Sequence, residues 1–440
     1  MILSKLPTKS SPFKGISRIP VRYLLLVTLL LLVGRLSSSL CRAQETLIDK
    51  EKATQESRIP SLREALSPIR ELLHREEKRS ITFLQIGDSH TQGGPLAASV
   101  RSELQSIYGN GGRGWLTPLK LAHTNQPLDY SFSLRRGRCY TCVTSLKSNC
   151  TTIGPGGVVL TCPTNEEIVF DISLQGETFD RLLVTRSSQS PSLIPDGCPH
   201  TFFLGNSEKP WQMVSDTIDL PSSVSSIRLT SCLNKAPYRQ QDLELGGVTL
   251  LKKASGICYH SIGINGATYA LFDNQSFAQN ISLLDPQVVL IALGTNEIIS
   301  RASTETIISQ IRSSIKILRR NMPNAVFILV SPPPIRPTTT VRTYKYRSRG
   351  KRRSKRKVIR KTYTNSPTPL RTALQTIAKE ERLPVIDLFE LMGGESGYIQ
   401  RHQEGGYYTS DGIHFTIKGY REQGHLIAQT LLQALQENNL

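Results

Sequence analysis

The chain of 440 residues offers no apolar run at its N-terminus long enough to cross a bilayer comfortably. The stretch from Tyr23 to Gly34 holds twelve mostly apolar residues, where a spanning helix needs about 20. Acidic residues are missing altogether between 342 and 361, a segment that carries twelve Lys and Arg. Setting these aside lowers the net charge from +19 to +7 for everything else. The basicity is therefore local, which argues against a nucleic-acid-binding face on the fold. The spacing Cys-x-x-Cys occurs at Cys139 and Cys142, but no second pair and no His pair follows at zinc-ribbon spacing. That counts against zinc and leaves no residue set for a metal or other cofactor. Between about 126 and 254 no long helical period appears.

What is present divides the chain into segments. Lys5, Lys9, Lys14, Arg18 and Arg22 precede the short apolar run, the pattern of an export signal. Residues 1–43 are expected to be a signal peptide cleaved after Ala43; a retained signal anchor is the alternative. Cys41 invites a lipoprotein reading that Leu40 before it disfavours. Export places the mature chain in the periplasm, at the cell surface or in the medium. There disulfides persist, and six of the eight cysteines (Cys139, Cys142, Cys150, Cys162, Cys198 and Cys232) crowd one window, as in a stapled subdomain. Cys258 stands apart and is read as simply buried.

Residues 44–80 form a polar leader with an amphipathic stretch from Ile59 to Leu73. Ile81 to Ile86 is a short run of β-formers ending at Gly87-Asp88-Ser89, and a helical pattern begins near Pro95. From 126 to 254 short alternating runs such as Ile168, Phe170, Ile172 and Leu174 predict an all-β sandwich. Buried-strand runs at Val288–Leu293, Ala325–Val330 and Leu383–Leu388 then alternate with helical patterns. One helix is capped by Ser303, another spans Leu370 to Glu380, and a C-terminal one is capped by Thr416. Alternating strands and helices predict a parallel sheet. The α/β domain is thus expected at 81–125 and 255–440, interrupted by a β-module at 126–254 and by a basic loop at 342–361.

In such sheets ligands bind beyond the carboxyl ends of the strands. Gly87-Asp88-Ser89, Gly294-Thr295-Asn296 and Asp411-Gly-Ile-His414 are all placed near that edge. Acyl transfer needs a nucleophile, a base, a group orienting the base and donors for the oxyanion. Ser89, His414, Asp411 and the Asn296 amide supply these in turn. Each cluster alone is weak, because Gly-Asp-Ser is usually just a turn. Together, in this order, they are hard to explain as packing.

The pattern resembles the SGNH (GDSL-like) hydrolase family, on the blocks Gly87-Asp88-Ser89, Gly263-Ile-Asn-Gly266-Ala-Thr268, Gly294-Thr-Asn296-Glu297 and Asp411-Gly-Ile-His414. The resemblance implies a flavodoxin-like, three-layer fold. It also implies a Ser89–His414–Asp411 triad and an oxyanion hole made by Ser89, Gly266 and Asn296. The Gly266 role is open to Gly263 nearby. Glu297 stands where the family has Asp, and His90 follows Ser89 where the family name has Leu. The phrase Gly-Asp-Ser-His-Thr-Gln, the Tyr108–Trp115 segment and the inserted module narrow the likeness to bacterial peptidoglycan O-acetylesterases. That implies release of acetyl groups from cell-wall sugar. Acetyltransferases and other carbohydrate or lipid esterases remain the alternatives, as does a glycan-binding surface protein with a vestigial site.

Trp115 and Trp211 are candidate sugar contacts, each with a core position as the plainer reading. His90 is read as a hydrogen-bonding neighbour of the catalytic groups, and Glu297 as a support for the loop carrying Asn296. The basic segment reads either as a solvated loop or as a contact for an anionic polymer or surface.

Overall fold

The computed structural model describes residues 59–75, 79–143, 153–163, 166–196, 212–231, 242–336 and 366–436, together with the backbone of four short strands within 340–360. The export signal and Trp211 lie outside these residues, as do Cys41, Cys150, Cys198 and Cys232. Among the described residues no helix is long and apolar enough to cross a membrane.

The chain enters through two short helices, α1 (Leu62–Ala65) and α2 (Ser67–Leu73). Ser61 caps α1 in a reciprocal box with Glu64, satisfying orphan N–H groups at the helix start. Leu66 and Ile69 point into the core, and the Arg63 guanidinium donates to the carbonyl of Gln436 at 2.8 Å. The amphipathic leader is therefore packed on the domain.

β1 (Ile81–Gly87) leads into the one-turn helix α3 (Ser89–Gln92), then α4 (Pro95–Tyr108), β2 (Asn110–Gly112) and β3 (Gly114–Leu116). Next come β4 (Tyr130–Arg136), β5 (Tyr140–Val143), β6 (Val158–Cys162), β7 (Val169–Leu174), β8 (Phe179–Ser187), β9 (Leu193–Pro195), β10 (Met213–Val224), β11 (Ser226–Ser231) and β12 (Leu243–Leu251). The α/β alternation resumes with β13 (Ile257–Gly263), α5 (Gln275–Ser282), β14 (Val288–Ala292), α6 (Thr295–Ser300), α7 (Thr304–Asn321) and β15 (Val326–Val330). After the short strands β16 (Thr340–Val341), β17 (Lys345–Arg349), β18 (Arg352–Arg356) and β19 (Ile359–Arg360) follow α8 (Thr368–Glu380) and β20 (Val385–Ile386). The chain closes with α9 (Leu388–Leu391), α10 (Gly394–Glu404) and α11 (Ile417–Leu435).

The central sheet is wholly parallel, in the order β2-β13-β1-β14-β15-β20. β1 lies between β13 and β14, with Gly87 level with Gly263 on one side and Ala292 on the other. Strands such as Val288–Ala292 are buried almost throughout, as a sheet covered on both faces requires. Helix α4 packs on α11, while α7 packs on α5 and α8. This is an α/β fold built on a parallel sheet.

Two antiparallel sheets come between the first helical unit and β13. One runs β10-β8-β12-β6-β5, the other β4-β7-β11-β9. Phe132, Phe170 and Leu229 from one sheet and Leu182, Val184 and Leu250 from the other share a single core. The interrupted alternation at Leu243, Leu245, Val248 and Leu250 has a local cause. β12 shifts register against β8 between Leu245 and Gly247, a bulge that adds one residue to the strand. β3 joins this sheet by pairing with β12, so the antiparallel layer takes a strand from upstream of residue 126. Cys139 and Cys162 form a disulfide, and Cys142 is also disulfide-bonded. Their sulfurs are thus not free to bind zinc.

Trp115 takes the plainer of its two readings, and one strand is shorter than expected. Trp115 is not a wall of the catalytic cavity: it is buried, its indole N–H donates to the Thr117 hydroxyl at 2.8 Å, and it packs in the core. The strand expected over Leu383–Leu388 shrinks to Val385–Ile386, because Asp387 caps α9 and turns the chain away. The basic loop carries a hairpin, β17 with β18, in which Lys345 stands opposite Arg356 and Arg349 opposite Arg352.

Candidate active site

β1 and its turn deliver Ser89. The Asp88 carboxylate accepts the His90 backbone N–H at 3.0 Å and so caps α3, leaving Ser89 as the first helical residue at the carboxyl edge of the sheet. Gly263, at the end of β13, lies directly beneath α3. A Cβ there would run into the backbone of Thr91 and Gln92, so only glycine permits this approach.

The Asp411–His414 turn brings the base. Thr409 donates its N–H to the His414 carbonyl at 2.8 Å, and Tyr408 bridges Phe415. One oxygen of Asp411 accepts from the Thr409 hydroxyl (2.7 Å) and from the N–H groups of Ile413 (2.8 Å) and His414 (2.9 Å). The other oxygen lies 2.6 Å from His414 Nδ1. Partial burial pushes the Asp411 carboxyl up. The bonds from His414, Ile413 and Thr409 outweigh this and hold it well below the usual carboxylate range. An ionised Asp411 keeps the proton on Nδ1 and leaves Nε2 as an acceptor. Nε2 lies 3.0 Å from Ser89 Oγ.

Ser89, His414, Asn296 and Gly266 line one cavity of about 500 Å³, with Asn125, Asn265 and Tyr420 among its other walls. One Asn296 amide hydrogen goes to the Ala267 carbonyl at 2.8 Å, and its second is left for a ligand. Gly266 sits at φ +77° with open space around its Cα. Between the two candidate glycines, Gly266 thus faces the cavity, while Gly263 supports the turn that carries Ser89.

Gln92 was not singled out by sequence reasoning. Its amide donates to the Thr124 hydroxyl (2.9 Å) and the Asn125 side chain (2.8 Å), and its oxygen accepts the Asn265 N–H (2.8 Å). It ties together two loops that wall the cavity. The only hint was its place in the Gly-Asp-Ser-His-Thr-Gln phrase, since buried hydrogen bonding leaves no sequence period.

His90 is buried beside the site, its Nδ1 3.3 Å from the Tyr420 hydroxyl and its ring 5.6 Å from that of His414. Burial lowers its pKa, so it stays neutral as pH falls toward its ordinary value. His260 accepts the Trp115 N–H at 3.0 Å on Nδ1, and burial pushes its pKa down to about 3. It is a neutral acceptor in the core. Cys258 is free and buried, 3.7 Å from the second nitrogen of His260, with its thiol pushed up to about 12 by burial.

Glu297 follows Asn296 and is buried; its Oε1 accepts the Tyr269 N–H at 2.8 Å. Adjacent residues of α6 therefore hold both ends of the 267–269 segment. Burial raises the Glu297 carboxyl from 4.5 to about 7, against the bond from Tyr269, with a further push from Asp88. The folded state binds this proton more tightly than the unfolded chain, so stability falls as pH rises from about 4.5 to about 7. Glu297→Gln keeps the acceptor and removes the charge. It is expected to leave the melting temperature unchanged near pH 4.5 and to raise stability at pH 8, by roughly 1–3 kcal/mol. Thermal unfolding at both values checks this; an equal change at both would show that no buried charge is involved.

A hydroxyl, an imidazole and a carboxylate in one hydrogen-bonded line, set at the carboxyl edge of a parallel sheet, define an α/β protein with a serine–histidine–aspartate constellation. Residues 236–427 match the family model described as GDSL-like Lipase/Acylhydrolase. The matched stretch takes in Gly266, Asn296, Asp411 and His414 but not Ser89, which the sheet pairing of β1 brings to them. Among solved structures, one titled "Peptidoglycan O-acetylesterase in action" is similar over 85% of this chain and 95% of its own, with TM-score 0.65 and 18% identity. A Bacillus subtilis protein (TM-score 0.32, 16% identity, 69% and 90% covered) is more distant. So is a salicylyl-acyltransferase from a tetracycline pathway (TM-score 0.32, 13% identity, 72% and 97% covered). No curated protein sequence matches.

Proposed function

We propose that this chain is a serine esterase that removes O-acetyl groups from cell-wall carbohydrate, with acetylated peptidoglycan as substrate. The observation that carries the reading is the line Ser89 Oγ–His414 Nε2, His414 Nδ1–Asp411, at 3.0 and 2.6 Å, opening onto a cavity. His414 takes the Ser89 proton as Oγ adds to the acetyl carbonyl. The N–H groups of Ser89 and Gly266 and the free Asn296 amide hydrogen receive the negative oxygen. The sugar hydroxyl leaves with the proton from His414. Water, deprotonated by His414, then releases acetate and restores Ser89. Asp411 holds the imidazole tautomer throughout. The choice of glycan follows the peptidoglycan O-acetylesterase to which the fold is similar.

Mass spectrometry of acetylated peptidoglycan before and after incubation tests the substrate: each acetyl group lost should appear as one free acetate. Transfer to an added glycan without free acetate would mark an acetyltransferase instead, and no change would leave the glycan reading without support. Asn296→Ala is expected to lower kcat for an aryl acetate by about 10²–10³, measured by chromogenic release.

The disulfide between Cys139 and Cys162 suits an oxidising compartment, in line with export to the periplasm or cell surface. The twelve Lys and Arg of residues 342–361 would favour an anionic polymer or surface. Binding that weakens steeply with salt is the expected signature.

A further inference from the structure

A second cavity, of about 400 Å³, is walled by chain neighbours of residues that line the catalytic one. The two are lined by neighbouring residues at four points of the chain: Gly93 and Gly94, Asn125 and Pro127, Phe415 and Ile417, Tyr420 and Arg421. This shared chain path places the second cavity near Ser89, within the span of an extended substrate.

The charges around this cavity are unequal in availability. Asp129 is engaged by Arg101 and Arg113, each at 3.1 Å, and these cations outweigh its burial to hold its carboxyl at about 2. Glu103 accepts from His425 at 2.9 Å and from Gln429 at 2.8 Å. Arg421 is exposed and has no hydrogen-bond or ion-pair partner among the described residues. The charge left for a ligand is thus a cation. Beside it, Leu128 and Ile417 are 76% and 47% exposed, an arrangement that gains from apolar contact.

We propose that this cavity is a subsite for a carboxylate-bearing, partly apolar arm of the acylated glycan, such as a short acidic peptide or lactyl group. Arg421 pairs with the carboxylate, and Leu128 and Ile417 cover the arm's methyl groups. The inference rests on the reading of Ser89 as nucleophile, but its test separates the two. Arg421→Ala is compared with the unchanged protein on an aryl acetate, an O-acetylated muropeptide, and the same muropeptide with its carboxylates methyl-esterified. The variant should leave aryl acetate turnover within twofold. For the free muropeptide it should raise KM about five- to tenfold at unchanged kcat, the modest size reflecting an exposed cation. For the methyl ester KM should not change. Equal losses on both muropeptides, or none, would overturn the subsite.

Calorimetric titration supplies a readout independent of turnover. The Ser89→Ala protein should bind the free muropeptide more tightly than its methyl ester, and adding Arg421→Ala should abolish that preference. A Ser89→Ala protein that binds both alike overturns the proposal even if the esterase reading stands. A preference seen in a protein that hydrolyses none of the three substrates supports the subsite while the esterase reading fails.

Discussion

Ser89→Ala is expected to lower turnover of an aryl acetate by about 10⁴-fold or more, because in the proposed mechanism its Oγ forms the acyl-enzyme. Folding should be unaffected, since the hydroxyl lies at a half-buried helix start and its recorded side-chain contact is with His414. His414→Ala should cost about as much, and the double variant little more, as groups acting as one unit are not additive. Asp411→Asn leaves the turn in place but offers an amide where Nδ1 needs a carboxylate, and a loss of similar order is expected. Chromogenic assays with circular dichroism as a folding control check the series. Substantial activity in Ser89→Ala would remove the mechanism. Additive losses would mean that Ser89 and His414 do not work as a pair.

Asp216→Ala is expected to produce the largest loss of stability, about 3–5 kcal/mol. Arg186 is fully buried in the antiparallel layer and meets Asp216 in a fork, at 2.6 and 3.0 Å. Its remaining donor serves the carbonyls of Ser187 and Ser190, and Ser192 donates to Asp216. Removing the carboxylate strands a guanidinium in a low-dielectric core, and that uncompensated charge dominates the cost. Replacing Arg186 and Asp216 together by leucine should recover much of the loss, because no lone charge remains. Chemical unfolding of the disulfide-intact protein measures both. A single variant as stable as the parent would mean that water reaches Arg186.

The α/β class and the order of its elements were legible where a period survives. Val288–Ala292 and Val326–Val330 are covered on both faces, so they appear as unbroken apolar runs. The buried face of α7, Ile307, Ile311, Ile315 and Leu318, repeats at helical spacing. Strand β20 was overcalled because Leu388 and Phe389 are apolar for helical packing, and apolarity alone does not distinguish the two. Trp115 lies in the core although it is close to Ser89 along the chain, because β3 turns away to pair with β12.

The residue types of the candidate site, and their order from Ser89 to His414, were legible in local sequence, because a Gly-Asp-Ser turn and an Asp-x-x-His turn are local structures. Their union was not. Ser89 and His414 stand 325 positions apart, and the pairing of β1 between β13 and β14, with α11 packed on α4, sets them 3.0 Å apart. The placing of Gly266 at the cavity and Gly263 beneath the Ser89 turn, the contacts of Gln92 and the lack of a partner for Arg421 among the described residues likewise belong to tertiary structure. Each depends on which groups meet across long sequence intervals, and hydrogen bonds and cavities at such intervals impose no periodic pattern on the chain.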